Sequence, residues 1–351
     1  MKKILILIGL FVFAYNQSNA TIYFVDINAG NDTSNGLFQV PMTSPDGPLQ
    51  TINAALSLAN SGDTIIVAEG DYYEQITISK PLVLYGARSN NIPVSSNRGG
   101  ETVLYPQLID LGQGPNTNNT QIWILSDSVE INGFKLNGND VNLNSGENIY
   151  GVDVDLAYGI VQRGEINHVV ISNNIIINYY FSHIYAWGGS NVSSEHVIKN
   201  NYLSNCGSES IYVESEMQMS ILNNIIYSTP KGIDITNFNR STNKNFRIEN
   251  NFITAHNYAI DIHDITAAGN FIINGNSIKS SDKLSATFIG IFLHNNEEKM
   301  GFSTNGNAIE GGNSGYLFSN SKNKHILGSS SFRFYCWVYY CKIRFQTKEM
   351  K

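Results

Sequence analysis

Charged residues are scarce in this chain of 351 residues: Lys, Arg, Asp and Glu together make up only 15% of it. Cysteines are scarcer still, and Cys206, Cys336 and Cys341 are the only three. An odd and sparse set of cysteines does not build a disulfide framework, and the spacing does not match a structural zinc site. We therefore interpret all three as incidental thiols.

Long apolar runs are also missing, because no segment approaches the roughly 18 uninterrupted apolar residues that a membrane helix needs. One short apolar run, residues 4–14, follows Lys2 and Lys3 and precedes the small polar residues Ser18-Asn19-Ala20. This pattern is typical of a secretory signal peptide over residues 1–20. We expect an exported protein, secreted or at the cell surface, that lacks a membrane span.

The charge is unevenly distributed along the chain. Residues 321–351 carry seven basic and one acidic residue, a net charge of +6, so the rest carries −7 − 6 = −13. Such an acidic body argues against nucleic acid as a partner. It also disfavours anionic polymers unless a cation such as Ca²⁺ bridges them.

A repeat dominates the middle of the chain. The pattern of an apolar residue, any residue, Asn-Asn, any residue and an apolar residue occurs at 171–176, 198–203, 221–226 and 248–253, with Gly-Asn copies near 275 and 306. Its second Asn stands at 174, 201, 224, 251, 276 and 307, at intervals of 27, 23, 27, 25 and 31 residues. Leucine-rich repeats have a similar period but require Leu at fixed positions. Short β-branched strands between polar turns predict an all-β, right-handed parallel β-helix over residues 21–325.

The Asn residues have a structural explanation. Asn tolerates the left-handed backbone conformation of a sharp bend, and stacked Asn side chains can bond to copies about 4.8 Å above and below. We therefore predict that Asn174, Asn201, Asn224 and Asn251 form one buried column.

The amino-terminal part breaks the repeat. Apolar residues recur at helical spacing in residues 49–59, between Gly47-Pro48 and Ser61-Gly62. We expect a short α-helix at about 48–60 that covers the open end of the β-helix.

This amino-terminal stretch resembles the opening of secreted right-handed β-helix proteins, including pectate-lyase-like and chondroitinase-B-like polysaccharide lyases. The resemblance rests on Tyr23-Phe24-Val25-Asp26, Gly30-Asn31-Asp32, Leu49-Gln50-Thr51-Ile52, Ser61-Gly62-Asp63-Thr64-Ile65 and Gly70-Asp71-Tyr72. It implies the β-helix fold and an extracellular polysaccharide as the partner. It does not select an activity, because one fold hosts many functions.

A second strand alternates with the Asn motif and predicts a ligand groove. Aligning its buried Ile residues gives two outward columns: Val161, Tyr185, Tyr212, Asp234, Asp261 and Phe292, and Arg163, Trp187, Glu214, Thr236, His263 and His294. Together they predict an exposed face about 25 Å long. Sugar rings stack on aromatic side chains, so we expect substrate binding by Tyr185, Trp187, Tyr212, Glu214, Asp234 and His294.

The strongest local signal for chemistry lies in residues 258–264. Tyr258, Asp261 and His263 lie beside Lys231 and Asp234 of the preceding coil. Two carboxylates about 5 Å apart repel each other unless a cation lies between them. We therefore expect either acid–base catalysis or a Ca²⁺ site with Asp234 and Asp261 as ligands.

The sequence of residues 258–264, Tyr-Ala-Ile-Asp-Ile-His-Asp, is similar to the Y-G-F-D-P-H-D signature of mannuronan C5-epimerases. This resemblance implies proton transfer at the sugar C5 by Tyr258, Asp261 and His263, with Lys231 neutralising the uronate. The chain departs from the signature at Ala259, Ile260 and Ile262. Two alternatives remain open: a non-catalytic glycan-binding or structural β-helix, and a polygalacturonase-like hydrolase, although its G-H-G motif is absent.

The repeat stops near residue 326. Residues 326–351 are basic and aromatic and lack the Asn motif. We interpret this tail as a truncated or frameshifted gene end, with a genuine adhesive tail as the alternative, and we expect the protein to be a monomer.

Overall fold

Three long faces of parallel strands wind around one apolar core and form a right-handed parallel β-helix. The computed structural model describes residues 20–112, 114, 118–188, 193–214, 217–236, 244–265, 269–282, 287–296, 300–311, 314–319, 325–327 and 344–345. The predicted signal peptide, apart from Ala20, and most of the tail therefore lie outside the described residues. Within the described part of the chain, no helix has the length and apolarity needed to cross a bilayer.

Each complete coil contributes one strand to each face. The first sheet contains twelve strands: Ile22–Val25, Thr64–Val67, Leu82–Tyr85, Val129–Asn132, Val170–Ser172, Ser193–Lys199, Met217–Leu222, Lys244–Glu249, Gly269–Asn274, Met300–Asn305, His325–Leu327 and Arg344–Phe345. The second face contains Gly70–Tyr73, Thr102–Tyr105, Phe134–Asn137, Ile175–Tyr179, Tyr202–Cys206, Ser277–Ser280 and Ala308–Glu310. The third face contains Ile76–Ile78, Thr120–Ile124, Tyr158–Arg163, Ser182–Trp187, Glu209–Glu214, Ile289–His294 and Ser314–Ser319.

Two long strands, Ile225–Thr236 and Phe252–His263, run through both the second and the third face and join them into one sheet. A separate antiparallel hairpin, Asn148–Ile149 with Val152–Asp153, projects between the strands that end at Asn137 and begin at Tyr158. The extra residues of this hairpin belong to no coil, so they are free to lie along the outside of the β-helix.

The Asn pair forms the turn between the first and second faces, and its two members have different tasks. The first member adopts a left-handed backbone, with φ of 55–57° at Asn173, Asn200, Asn223 and Asn250, and glycines replace it at 275 and 306. The second member is buried at Asn174, Asn201, Asn224 and Asn251, and these four side chains form one hydrogen-bonded ladder. The predicted column is confirmed. The ladder continues through the buried Asn276 to the partly buried Asn307.

The amino-terminal helix is present but shorter than predicted, at Ile52–Leu58. Its N-cap is Thr51 rather than Gly47-Pro48, because Leu49 is already committed to a bridge with Val25 in the first coil. Glu74 accepts hydrogen bonds from the backbone amides of Ile52 and Asn53, at 2.8 and 2.9 Å, and satisfies amides that the helix leaves free.

The Asn ladder should be essential for stability. Replacing Asn224 by Ala removes the acceptor for the backbone amide and the side-chain amide of Asn201. It also removes the donor to the backbone carbonyl of Ile198. Each buried group left unpaired costs about 1–3 kcal/mol, so we expect the free energy of unfolding in urea to fall by roughly 3 kcal/mol or more.

Asn270→Ala is the matched control, since that exposed side chain donates only to Asn245. It should change the free energy of unfolding by less than about 0.5 kcal/mol. Equal losses in the two variants would contradict a structural role for the ladder.

Candidate functional site

The two outward columns of the third face lie in the register that the sequence alignment predicts. Neighbouring strands pair Val161 with Tyr185, Tyr185 with Tyr212, and so on through Asp234, Asp261 and Phe292. The second column runs in the same way through Arg163, Trp187, Glu214, Thr236, His263 and His294. Residues from consecutive coils therefore meet side by side on one face.

The aromatic half of this face is covered, which corrects the expectation of an exposed stripe. Tyr185 is only 8% exposed because it packs in an outer apolar cluster with Trp123, Ala157, Tyr158 and Val161. Tyr185 points away from the core as predicted, but this cluster shields its ring from solvent.

The partly open edge of that cluster keeps groups that a ligand can reach. Trp187 and Tyr212 are half-buried, and the guanidinium of Arg163 lies 4.7 Å from the Trp187 ring centre. The hydroxyl of Tyr185 donates to Glu214 at 2.5 Å. Burial and this hydrogen bond to Glu214 raise the pKa of Tyr185 well above its ordinary value.

The charged half of the face is built around two buried carboxylates. Asp234 and Asp261 are 1% and 2% exposed, and Lys231 forms ion pairs with both of them. Each carboxylate also bonds to the imidazole of the following coil: Asp234 to His263 and Asp261 to His294, both at 3.1 Å. The repulsion expected between the paired carboxylates is thus cancelled by side chains of the chain itself.

His263 and His294 form a stacked pair, with ring centres 4.8 Å apart and planes inclined by 12°. His263 has carboxylates on both sides, Asp234 at Nε2 and Asp264 at Nδ1 at a distance of 2.8 Å. Although burial lowers the pKa of His263, hydrogen bonds to Asp234 and Asp264 more than offset it and raise the pKa to about 9. His263 is therefore an imidazolium cation at neutral pH.

His294 has a different environment. Its Nε2 faces Asp261, and a carboxylate can only accept, so this nitrogen carries a proton. Burial acts to raise the pKa of Asp261, but hydrogen bonds from His294 and Lys231 lower it below the ordinary value. In its neutral form, His294 then keeps its lone pair on Nδ1, where it can accept a proton.

The expected Ca²⁺ ligands are already occupied by nitrogen donors. All four carboxylate oxygens of Asp234 and Asp261 contact Lys231, His263 or His294. Asp261, His263 and His294 do bring potential metal-binding atoms within 4.8 Å of one another. However, imidazole lone pairs lie in the ring plane, so two nearly parallel rings cannot both point at one ion.

Aromatic rings flank the charged cluster. Tyr258 stacks on Phe292 at 5.4 Å, and Phe292 stacks on His294 at 4.2 Å. The ammonium of Lys231 lies 5.7 Å from the Tyr258 ring centre. The structure thus brings together Lys231, Asp234, Tyr258, Asp261, His263 and His294. The other predicted site residues lie in the aromatic half of the face: Tyr212 and Glu214 two coils before His263, and Tyr185 and Trp187 three coils before it.

Sequence reasoning missed one neighbour of this cluster. Glu209 pairs in register with Lys231, and burial raises the pKa of its carboxyl group. The signal that could have identified Glu209 was its place in the Lys231 column. Thr236, already placed in the second outward column, lies 3.2 Å from Nδ1 of His263.

Comparison with known proteins gives one family match. A family model described as a protein of unknown function (DUF1565) matches residues 29–328. No curated protein has a sequence that matches this chain.

Several solved structures are similar in fold. Pectate lyase Pel9A shares 15% identity at a TM-score of 0.49, over 88% of this chain and 80% of that one. The DFA-IIIase from Arthrobacter chlorophenolicus A6, without its lid, shares 13% at 0.48, over 88% and 90%. An alginate lyase from Paenibacillus sp. str. FPU-7 shares 16% at 0.48, over 79% and 96%. At these identities and TM-scores, the similarities carry no argument about activity.

The raised pKa of His263 predicts a pH-dependent stability. Its charged form is favoured by folding, so its contribution is complete below pH 6.5 and is lost as the pH rises through about 9. The loss amounts to about 3 kcal/mol. Urea unfolding of the parent chain should become easier by that amount between pH 6.5 and 9, whereas His263→Gln should remove most of this slope. Parallel pH profiles for the two proteins would contradict the assignment.

Proposed function

The chain belongs to the DUF1565 family of parallel β-helix proteins, and on this fold we propose that the charged half of the third face is the active site of an extracellular enzyme that transfers protons on an acidic polysaccharide. The observation that carries the proposal is the stacked His263–His294 pair, in which His263 bonds to Asp234 and Asp264 and His294 bonds to Asp261 through Nε2. Two adjacent imidazoles with different carboxylate partners suit one acid and one base.

The chemistry follows from this arrangement. His294 takes the proton from C5 of a uronate, where the adjacent carboxylate makes it acidic. The positive charges of Lys231 and His263 stabilise the negative charge that develops on that carboxylate. In an elimination, the electron pair left at C5 forms the C4–C5 double bond, and His263 protonates the departing C4 oxygen.

Epimerisation requires one different step. The carbanion at C5 is then reprotonated from the opposite side of the ring instead of losing its C4 substituent. Tyr258, whose ring lies beside Lys231, is the candidate donor for that second proton. Both reactions begin with the same proton abstraction, so the same two histidines should be needed for either.

The partly open edge of the aromatic half binds the polymer and takes no part in the proton transfers. Trp187 and Tyr212 are half-buried and lie two to three coils before His263. At about 4.8 Å per coil, this distance corresponds to a few sugar residues. A polymer that runs parallel to the helix axis can therefore stack on these rings while one uronate reaches the histidines.

A glycoside hydrolase is less well supported, because it needs a protonated carboxyl group as the acid. All four oxygens of Asp234 and Asp261 contact Lys231, His263 or His294, so neither carboxyl group is placed to donate such a proton. A glycan-binding protein without catalysis is the other candidate, and Trp187 would then matter more than His263.

The test is a panel of alginate, pectate, chondroitin and a neutral glycan. Elimination produces absorbance of a 4,5-unsaturated uronate, and proton abstraction without elimination incorporates solvent deuterium at C5. We expect one acidic polymer to give one of these signals, with losses of about 10²–10⁴-fold in His263→Gln and His294→Gln. Glycan binding itself should survive in both variants.

His168→Asn is the matched control, because that imidazole is exposed and pairs with Glu195 away from the third face. Its activity should equal that of the parent chain. Binding that is weakened by Trp187→Ala, with neither signal from any polymer, would favour the non-catalytic alternative. Full turnover in both histidine variants would refute the proposed site.

A further inference from the structure

An open cleft lies at the amino-terminal end of the second face, several coils away from the site described above. Its volume is about 410 Å³, within the roughly 300–1,000 Å³ of pockets that take small ligands. The floor consists of Asp71, Val103 and Lys135, which pair in register on three neighbouring strands. The rim comes from the loop before the second of these strands, at Asn97 and residues 99–101.

A buried ion pair fixes this rim. Nε and Nη2 of Arg98 donate to the two carboxylate oxygens of Glu101 at 2.9 and 2.8 Å, and both side chains are 4% exposed. Nη1 of Arg98 donates to the backbone carbonyl of Asn173 at 2.8 Å and so ties the rim to the turn of the Asn ladder. The backbone amide of Gly70 donates to the carbonyl of Glu101 at 3.0 Å and joins rim to floor. A rim that is already ordered loses little conformational entropy when a ligand binds.

Two of the three acidic side chains that line the cleft have a basic neighbour. Glu101 pairs with Arg98. A Cβ added at Gly100 would lie 2.1 Å from the guanidinium of Arg88 and 2.5 Å from the carboxylate of Glu69. The glycine therefore leaves the space in which these two opposite charges approach each other, and neither acid adds an uncompensated charge to the cleft.

Asp71 and Lys135 are the charged groups that remain for a ligand. Among the ion pairs formed within the described ranges, none involves either of them. They flank Val103, and two strand spacings place their backbones about 10 Å apart. The floor is thus apolar in the middle, with an acceptor at one end and a cationic donor at the other. Because the two charges are opposite, the pair favours neither an anion nor a cation.

We propose that this cleft binds a neutral sugar residue of a glycan chain. One hydroxyl of the sugar donates to the carboxylate of Asp71, and another accepts from the ammonium of Lys135. The C–H face of the sugar ring packs on Val103 between them. A uronate would be repelled by Asp71 as much as it is attracted by Lys135. The cleft therefore differs in specificity from the third face, and binding here requires no catalysis there.

A stacked pair of tyrosines extends the cleft along its strands. Tyr73 and Tyr105 follow Asp71 and Val103 by two residues, about 7 Å further on the same outward side. Their ring centres lie 5.3 Å apart. Tyr73 belongs to the first strand of the second face and is 42% exposed. The next sugar residue of the glycan can stack on Tyr73.

The distance between the two sites determines what the cleft can do. Its strands precede Phe252–His263 by four to six coils, which is roughly 20–30 Å along the helix axis. No single sugar residue can reach both sites. The cleft therefore anchors the protein on a glycan without taking part in the proton transfers.

The experiment is a calorimetric titration of the full chain with cellohexaose, mannohexaose and xylohexaose, and with hexagalacturonate for comparison. We expect one of the neutral hexasaccharides to bind with one site per chain. Asp71→Ala and Lys135→Met should each weaken that binding by about tenfold or more, because each removes a hydrogen bond to a charged group. The matched control is Lys199→Met, a partly buried lysine on the first face, and its affinity should equal that of the parent chain.

Two further comparisons separate the cleft from the third face. His263→Gln should bind the neutral hexasaccharide as tightly as the parent chain, and Lys135→Met should leave any binding of hexagalacturonate unchanged. Failure of every acidic polymer to react would then count against the third-face site alone. The melting temperature of each variant checks its fold, and the exposed Asp71→Ala supplies the comparison should Lys135→Met not fold.

Three results would overturn the proposal. One is a parent chain that binds none of the neutral hexasaccharides at millimolar concentrations. Another is unchanged affinity in both Asp71→Ala and Lys135→Met. The third is loss of neutral-glycan binding in Trp187→Ala alone, which would assign the sugar to the third face instead.

Discussion

The in-register stacking of successive coils is the constraint on which the rest of this structure depends. The Asn ladder fixes that register, since each side chain bonds to the backbone of one neighbouring coil and to the Asn of the other. A ladder of this kind allows coils of different length, because loops absorb the extra residues while the turn stays aligned. The outward columns of side chains on the third face are therefore aligned by this turn.

Stacking in register also creates electrostatic repulsion, because it can place side chains of the same charge next to each other in neighbouring coils. Asp234 lies beside Asp261, and His263 lies beside His294. The chain solves the problem with an offset of one coil: each Asp bonds to the His of the next coil, and Lys231 lies between the carboxylates. His263 has a second carboxylate partner in Asp264, the residue that follows it, whereas the residue that follows His294 is Asn295. The difference between the two rings thus comes from the residue after each His and not from the column of carboxylates.

Much of this arrangement could be predicted from the sequence. The alternation of apolar residues identifies the inward Ile column, and one aligned column fixes all others, so the groups around His263 could be named in advance. Exposure could not be predicted in this way. The cover over Tyr185 includes Ala157 and Tyr158, and sequence alignment shows which way a side chain points but not what lies above it. The partner of each carboxylate also depended on side-chain reach, so a Ca²⁺ ion and Lys231 were equally compatible with the same column.

The projecting hairpin could not be predicted from the repeat for a related reason. Residues that interrupt a repeat have no equivalent in other coils, so no column reveals their neighbours. In the third face, by contrast, the regular coils place Lys231 between Asp234 and Asp261. Buried carboxylates must be compensated, and here the compensating side chains come from the same register that aligns the coils. The two histidines that complete this compensation stay partly exposed, each polarised by its carboxylate partner.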